Sequence, residues 1–218
     1  MVMRYLLAAV LLSIFCLPVA ATEWHLAKDD KGYQIRVFTR DVAGSDLKEF
    51  RGEMLLHSRL SALVALVEDT RRGPDWIFQC RALEVIESYS AQDKLLYMVT
   101  DAPWPVSDRD SVFFSHLSQS AENGTVRIDM EARPDAFPLS DDLLRIRTMR
   151  GFWEFIPQGR GAVQVIYQVH AEPGGGIPSW LANSVVIDNP YYTLQKMAEL
   201  VKSEPYQNAE VDHIREAD

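Results

Sequence analysis

Residues 163–202 read VQVIYQVHAEPGGGIPSWLANSVVIDNPYYTLQKMAELVK. Every second residue from Val163 to Val169 is apolar and the others are polar except Ile166, and this period of two predicts a strand with one apolar face. The residues after the glycines instead repeat at spacings of four and three, which predicts an amphipathic helix. The repeating positions are Trp180, Ser184, Ile187, Tyr191, Leu194, Ala198 and Val201.

The predicted terminal helix runs from about Pro178 to Lys202. Pro178 suits the first turn of a helix, where the missing backbone donor is not needed. Pro190 lies inside the helix and removes one backbone hydrogen bond, so we expect it to kink the helix or to split it in two. The glycines at 174–176 before the helix are interpreted as a hinge or as a plain connection.

Upstream of this stretch the chain is dominated by predicted strands. Residues 126–133 alternate between apolar and polar without a miss, and Asn123-Gly124 before them is a hairpin signal. Such strands belong to an antiparallel sheet with one face in water. Further strands are predicted at 33–37, 47–56, 81–89, 94–100, 110–119 and 144–156, the last with a break at Gly151.

A shorter helix is predicted between the early strands and the later ones. Leu60, Leu63, Val64 and Val67 share one helical face, Ser58 can cap the start, and the glycine and proline at 73–74 end the helix. The order of strands, helix, strands and terminal helix predicts an α+β fold. A curved antiparallel sheet wrapped around a long helix can enclose a cavity, although the alternation alone does not decide whether that space is hollow.

The N-terminal residues 1–21 have the features of a secretory signal peptide. Arg4 supplies a positive charge, an apolar run follows, and small residues occupy the cleavage positions at 19–21. We therefore expect a protein exported to the periplasm or secreted, with one domain at 22–205 and a C-terminal tail at 206–218. In that oxidising setting the single remaining thiol, Cys80, is expected to be buried.

Composition excludes several classes of function. The 218 residues are 47% hydrophobic and 24% charged, which is typical of a folded protein, and the net charge of −9 does not favour a nucleic-acid partner. The five histidines are dispersed without the spacing of a metal site, and no G-x-S-x-G nucleophile motif occurs. The sequence therefore predicts no metal, no cofactor and no catalytic residue.

Three stretches, in this order and spacing, resemble the START (lipid-transfer) domain family of the helix-grip superfamily. Residues 105–112 (PVSDRDSV) are similar to the proline and Arg-Asp segment of that family. Residues 151–157 (GFWEFIP) resemble its Gly-x-Trp strand, and residues 176–183 (GIPSWLAN) resemble the start of its terminal helix. Trp76 also matches a tryptophan of the family, and the resemblance covers roughly residues 24–203.

The resemblance implies a helix-grip fold with a hydrophobic tunnel for one lipid-like molecule and the terminal helix as its lid. Several sterol-binding members carry an arginine at a position that corresponds, without gaps, to Ser115. This difference does not favour a sterol as the ligand. The resemblance also identifies no residue of this chain as the polar anchor of a ligand. The residues that we expect to line the tunnel are Trp76, Met98, Trp104, Phe113, Met149, Trp153, Tyr167, Trp180, Ile187, Tyr191 and Leu194.

Four polar residues are candidates for the cavity: Arg109, Asp110, His116 and Arg147. Alternation places Arg109 and Asp110 on opposite faces of a strand, so each needs its own partner. Arg145 and Arg147 alternate with apolar residues and are both expected to face water, whereas the opposite register would place Arg147 inside.

The sequence leaves three functions open. The first is an exported carrier of a lipid or other hydrophobic molecule, which opens its terminal helix and makes transient membrane contact through apolar residues of that helix. The second is an enzyme of the aromatic or polyketide cyclase type, for which His116 and Arg147 are the candidate polar groups. The third is an interaction module that uses the surface of the sheet.

Overall fold

The computed structural model describes residues 23–104, 106–177 and 179–216. In this part of the chain ten strands form one sheet. The strands are β1 (His25–Asp30), β2 (Ile35–Arg40), β3 (Glu49–His57), β4 (Cys80–Ser88), β5 (Asp93–Thr100), β6 (Arg109–Gln119), β7 (Val126–Ala132), β8 (Leu144–Arg145), β9 (Thr148–Gly159) and β10 (Ala162–Glu172). The helices are α1 (Leu60–Glu68), α2 (Gly73–Trp76), α3 (Ser179–Leu200) and α4 (Glu204–Gln207), and a 3-10 turn spans Thr70–Arg72.

The strands follow the order β1-β2-β3-β10-β9-β7-β6-β5-β4, and β8 adds a short parallel pairing with β6. All other neighbours are antiparallel. Helix α3 packs on β2 and β3 and also touches α2. The α+β class and the helix-grip arrangement of sheet and terminal helix are therefore confirmed, while the predicted signal peptide lies outside the described residues.

The prediction of a break at Gly151 is wrong. Strand β9 runs through this residue, which pairs with Val169 of β10. A Cβ atom at Gly151 would lie 2.4 Å from the carbonyl oxygen of Gln168. Glycine is therefore needed here because the two strand backbones approach each other closely. The interruption falls earlier, between Arg145 of β8 and Thr148 of β9.

Helix α3 is one continuous helix of 22 residues, so Pro190 does not split it. Pro190 and Leu194 sit directly against the backbone of β3 at Gly52, where a Cβ atom would come within 2.9 Å and 2.8 Å of their side chains. Further along, Leu194, Met197 and Val201 are fully buried in the larger of two apolar clusters. The C-terminal half of α3 is thus fixed to the sheet.

The segment 206–216, expected to be a tail, packs against the domain. Tyr206 and Ile214 are buried in the larger apolar cluster. The carboxylate of Glu216 accepts hydrogen bonds of 2.9 Å from the backbone N–H groups of both Leu60 and Ser61 at the start of α1. The predicted cap at Ser58 is wrong, because its hydroxyl donates to the carbonyl of Arg59 instead.

Replacing Glu216 by glutamine should lower the free energy of unfolding by about 1 kcal/mol at neutral pH, the usual contribution of a helix cap. Burial alone raises the pKa of Glu216, but the hydrogen bonds from Ser61 and Leu60 and the charge of Arg59 outweigh it, so the pKa is lowered. A lowered pKa gives stability above the unfolded-state pKa that is lost as the pH falls through the folded-state value.

Urea unfolding at several pH values measures this contribution. The difference between the wild type and Glu216→Gln should shrink as the pH falls below about 4, the ordinary pKa of glutamate. Glu210→Gln, a change at an exposed position of the same segment, is the matched control and should match the wild type. A Glu216→Gln effect that is constant with pH would show that the charge does not contribute.

Candidate functional site

The inner face of the sheet and the helices enclose an apolar cavity, here named the inner cavity. Its free volume is about 90 Å³. The sheet contributes side chains from β4 to β7, β9 and β10, and the chain around α2 closes the other side. Its mostly apolar lining includes Trp76, Ile77, Leu83, Leu96, Met98, Phe113, Ser115, Leu117, Ile128, Met130, Met149, Trp153, Tyr167 and Val169. The ion pair of Glu68 and Lys94 lies at its edge.

A second cavity, named the mouth cavity, lies under the N-terminal half of α3. It has a free volume of about 200 Å³. Its wall combines the sheet, the loops at 47–48, 101–106 and 173–177, and the α3 residues Ala182, Val185, Val186 and Asn189. The two cavities share Met98, Met149, Tyr167 and Val169 as lining residues, so they are adjacent. Methionine is unbranched and adapts readily, which suits a passage that must widen for a ligand.

Aromatic rings form a connected part of the lining of the two cavities. Trp153 and Tyr167 are direct neighbours in the β9–β10 register, and their rings stack with centroids 3.9 Å apart. Trp76 packs against Trp153 at 5.7 Å, and Phe50 against Tyr167 at 5.0 Å. Burial raises the pKa of Tyr167, so its hydroxyl stays neutral. This part of the lining is therefore uncharged and largely apolar.

Residues 19–201 match the family model of the START domain. The chain belongs to the START domain family. A curated relative, the uncharacterized protein PA1579 of Pseudomonas aeruginosa, is 38% identical over 175 residues, which cover 80% of this chain and 85% of that protein.

Solved structures agree with this assignment. The STAR-related lipid transfer protein from Xanthomonas axonopodis (fragment 25–204) is 37% identical with a TM-score of 0.76, and the match covers 83% of this START domain chain and 99% of that one. Human STARD10 is 16% identical with a TM-score of 0.71 and shares the fold, with coverage of 84% and 74%.

Six of the residues predicted to line the tunnel do line these cavities of the START domain: Trp76, Met98, Phe113, Met149, Trp153 and Tyr167. Trp104 does not, because it is 92% exposed at the tip of the loop between β5 and β6. The side chain of Trp180 lies outside the described residues.

The predicted lining residues on the second half of the helix are misplaced. Ile187, Tyr191 and Leu194 pack against the larger apolar cluster instead of lining either cavity in the described structure. The Tyr191 hydroxyl donates to Asp30 over 2.7 Å, which raises the pKa of Tyr191 to about 12. The cavity is lined instead by a neighbouring stripe of α3, and the signal for it was the i, i+3, i+4, i+7 spacing of Ala182, Val185, Val186 and Asn189.

The polar candidates separate into three environments. Arg109 is buried and lines the mouth cavity. Asp110 is buried in an ion pair with Arg145, whose Nε and Nη2 atoms lie 2.9 Å and 2.8 Å from its two carboxylate oxygens. The prediction that Arg145 faces water is therefore wrong, because the loop before β8 folds over it.

The other two polar candidates lie away from both cavities. His116 lies 2.7 Å from Asp93 at half-exposed positions, and Arg147 is exposed 3.4 Å from Asp135. Neither residue lines the inner cavity or the mouth cavity. His116 instead borders a polar groove on the other face of the sheet together with Arg127, Asp129 and Glu131.

The described residues offer no metal-binding cluster and one buried thiol, that of Cys80. Within residues 23–216, apart from the two undescribed prolines, no group of three His, Cys, Asp or Glu side chains could hold a metal ion. Cys80 is buried as expected, and burial raises its pKa to about 11, which leaves an unreactive thiol. No helix in the described residues is long and apolar enough to cross a membrane.

Proposed function

We propose that this START domain is a non-catalytic carrier that holds one lipid or other hydrophobic molecule between the sheet and α3. The observation that carries the proposal is the apolar interior, which runs from the mouth cavity into the inner cavity past Met98 and Met149. The related Xanthomonas protein is named a lipid transfer protein, which supports the same general role.

Apolar burial supplies the affinity in this proposal. Each square ångström of apolar surface removed from water contributes about 25 cal/mol, or about 0.8 kcal/mol for each methylene. A chain of a dozen methylenes therefore binds without any charged contact, even after the cost of ordering it. The ligand enters when the N-terminal half of α3 moves away from the loops around the mouth cavity.

The loop between β5 and β6 is the proposed membrane contact. Pro103 and Val106 of this loop line the mouth cavity, and Trp104 between them projects into solvent. Tryptophan favours the interface between water and lipid because the ring is apolar and the indole N–H is polar. The net charge of −9 does not favour attraction to anionic lipid, so the encounter rests on apolar contact.

Replacing Trp104 by alanine should slow ligand pickup from neutral phosphatidylcholine vesicles about tenfold, since burial of one large side chain contributes about 1.5–3 kcal/mol. The measurement is the transfer rate of a fluorescent lipid, together with its equilibrium binding in detergent-free solution. Binding at equilibrium should not change, because Trp104 is outside both cavities. Tyr89→Ala removes an exposed aromatic residue of the β4–β5 turn and is the control. Equal transfer rates for all three proteins would refute membrane contact at this loop.

We also propose that the chain is exported after cleavage of residues 1–21, on the sequence features of that segment. Intact-mass measurement of the protein from its own host tests this, and retention of the first 21 residues would contradict it.

Native mass spectrometry of the same preparation tests the carrier function. The expected result is a complex of one chain with one apolar molecule, which organic extraction then releases and identifies. A chain that carries nothing, and takes up no lipid when mixed with a total lipid extract, would overturn the proposal. Catalytic turnover of the extracted molecule would favour the cyclase alternative.

A further inference from the structure

Arg109 places a positive charge in the wall of the mouth cavity. The residue is 4% exposed, and its guanidinium donates to the carbonyl oxygens of Ser107 and, over 3.3 Å, of Gly174. A guanidinium has five N–H donors, and the buried Nε donor has no hydrogen-bond partner among the described residues. Burial lowers the pKa of Arg109 while the charge of Asp108 opposes this change, and an arginine remains charged at neutral pH.

The nearby carboxylates are occupied by other partners. Asp101 and Asp108 both accept hydrogen bonds from Arg81, and Asp110 belongs to the buried ion pair described above. Arg109 itself forms no ion pair within 4 Å in the described structure. The charge of Asp108 supports Arg109 only from a distance, since Asp108 is hydrogen-bonded to Arg81, and a buried cation with so little compensation is costly to the fold. This cost is offset when a ligand supplies the missing negative charge.

A second polar atom of the mouth cavity also lacks a partner. The Oδ1 atom of Asn189, on α3, is buried without a hydrogen bond to any described residue. An asparagine amide can turn to present either its oxygen or its nitrogen, so it can accept from or donate to a bound group. Arg109 on the sheet and Asn189 on the helix thus line the same cavity from opposite sides, and each has one buried polar atom without a hydrogen-bond partner among the described residues.

The glycine loop completes this end of the cavity. Gly175 has a φ of +73°, and a Cβ atom there would lie 2.5 Å from Leu144 and 3.3 Å from the Nη2 atom of Arg109. The loop therefore covers the guanidinium with backbone alone, and its carbonyl at Gly174 is one of the two acceptors that hold Arg109. This close approach accounts for the glycine at position 175.

We propose that Arg109 and Asn189 form the recognition site for an oxyanion, a carboxylate or a phosphate, at the end of an amphiphile whose apolar chain extends into the inner cavity. This inference rests on the proposed carrier function and adds the class of ligand. The oxyanion accepts from the free donors of Arg109, and charge-assisted bonds of this kind are stronger than neutral ones. The hydrocarbon chain passes Met98 and Met149 beyond it.

The test compares two ligands with the same chain, hexadecanoic acid and hexadecanol, by calorimetric titration at pH 8. The wild type should bind the acid at least tenfold more tightly than the alcohol, because a hydrogen bond to a charged group contributes a factor of this size. Arg109→Gln should bring the two affinities to within about threefold, mainly because the acid binds more weakly. Arg147→Gln removes the same charge from an exposed position and should keep the wild-type preference.

Each other outcome has a separate meaning. Equal binding of acid and alcohol by the wild type, or an unchanged preference in Arg109→Gln, overturns the anion site and leaves the carrier function intact. Failure of the wild type to bind either ligand also overturns the anion site as proposed, and the carrier function itself is then decided by uptake from a total lipid extract. Inorganic phosphate alone should not bind at millimolar concentration, and phosphate binding that depends on Arg109 would assign the site to a free anion instead.

A second variant tests the same site in case Arg109→Gln does not fold. Asn189→Leu is similar in size, lies on α3 and removes the unsatisfied amide from the other side of the cavity. Asn189→Leu should reduce the preference for acid over alcohol at least threefold, and its circular dichroism spectrum should match that of the wild type. A preference identical to that of the wild type would count against the site.

Discussion

Replacing Arg145 by methionine should lower the free energy of unfolding by about 3–5 kcal/mol, the cost of leaving one member of a buried ion pair without its partner. The side chains of Arg145 and Asp110 are 3% and 1% exposed. Arg145 also donates to the carbonyl oxygens of Pro134, Phe137 and Pro138, so it fixes the loop before β8. Methionine would fill the space but leave a buried carboxylate and three carbonyl groups without their donor.

Urea unfolding measures this effect, and Arg147 provides a control two residues away. Arg147 is 63% exposed and faces Asp135 at 3.4 Å, so Arg147→Met should change stability by only about 0–1 kcal/mol. The double variant Asp110→Asn/Arg145→Met should lose less than the sum of the two single changes. A loss below about 1 kcal/mol for Arg145→Met would contradict a structural role for the pair.

Replacing Met98 by tryptophan should weaken binding of an 18-carbon ligand at least 100-fold. Met98 lines both cavities where they meet, so a larger ring there blocks the passage. A chain kept out of the inner cavity loses about 0.8 kcal/mol for each methylene left in water, and only a few methylenes are needed for a 100-fold loss.

The length of the ligand separates a blocked passage from general damage. An 8-carbon ligand is short enough to stay on the mouth-cavity side of Met98, so its affinity should fall much less in Met98→Trp than that of the 18-carbon ligand. Val85→Trp adds the same ring at an exposed position of β4 and should bind both ligands as the wild type does. If Met98→Trp binds the 18-carbon ligand as tightly as the wild type does, the hydrocarbon chain of the ligand does not pass Met98.

The sheet was predictable because alternation is a local signal. The fully alternating run at 126–133 corresponds to β7, and residues 163–169 lie within β10. Strand β1 was missed because its sequence, HLAKDD, is mostly exposed and polar. Gly151 was misread as a break because glycine also marks close approach of two backbones, and only the neighbouring strand decides between these roles.

The sequence predicted the cavity-lining residues of the sheet well and those of helix α3 poorly. Trp153 and Tyr167 follow the alternation and therefore face the interior. Helix α3 carries two adjacent apolar stripes, and its sequence does not tell which stripe contacts the sheet and which lines the cavity. Arg145 was misplaced because its partner, Asp110, is 35 residues away and is met only after the chain folds.

A crystal structure with a brominated long-chain fatty acid tests the hollow interior most directly. We expect anomalous bromine peaks between Trp153 and Met149, at one ligand per chain, with the carboxylate next to Arg109. Bromine peaks confined to the protein surface, with the side chains between sheet and α3 in contact with one another and no ligand among them, would contradict the account.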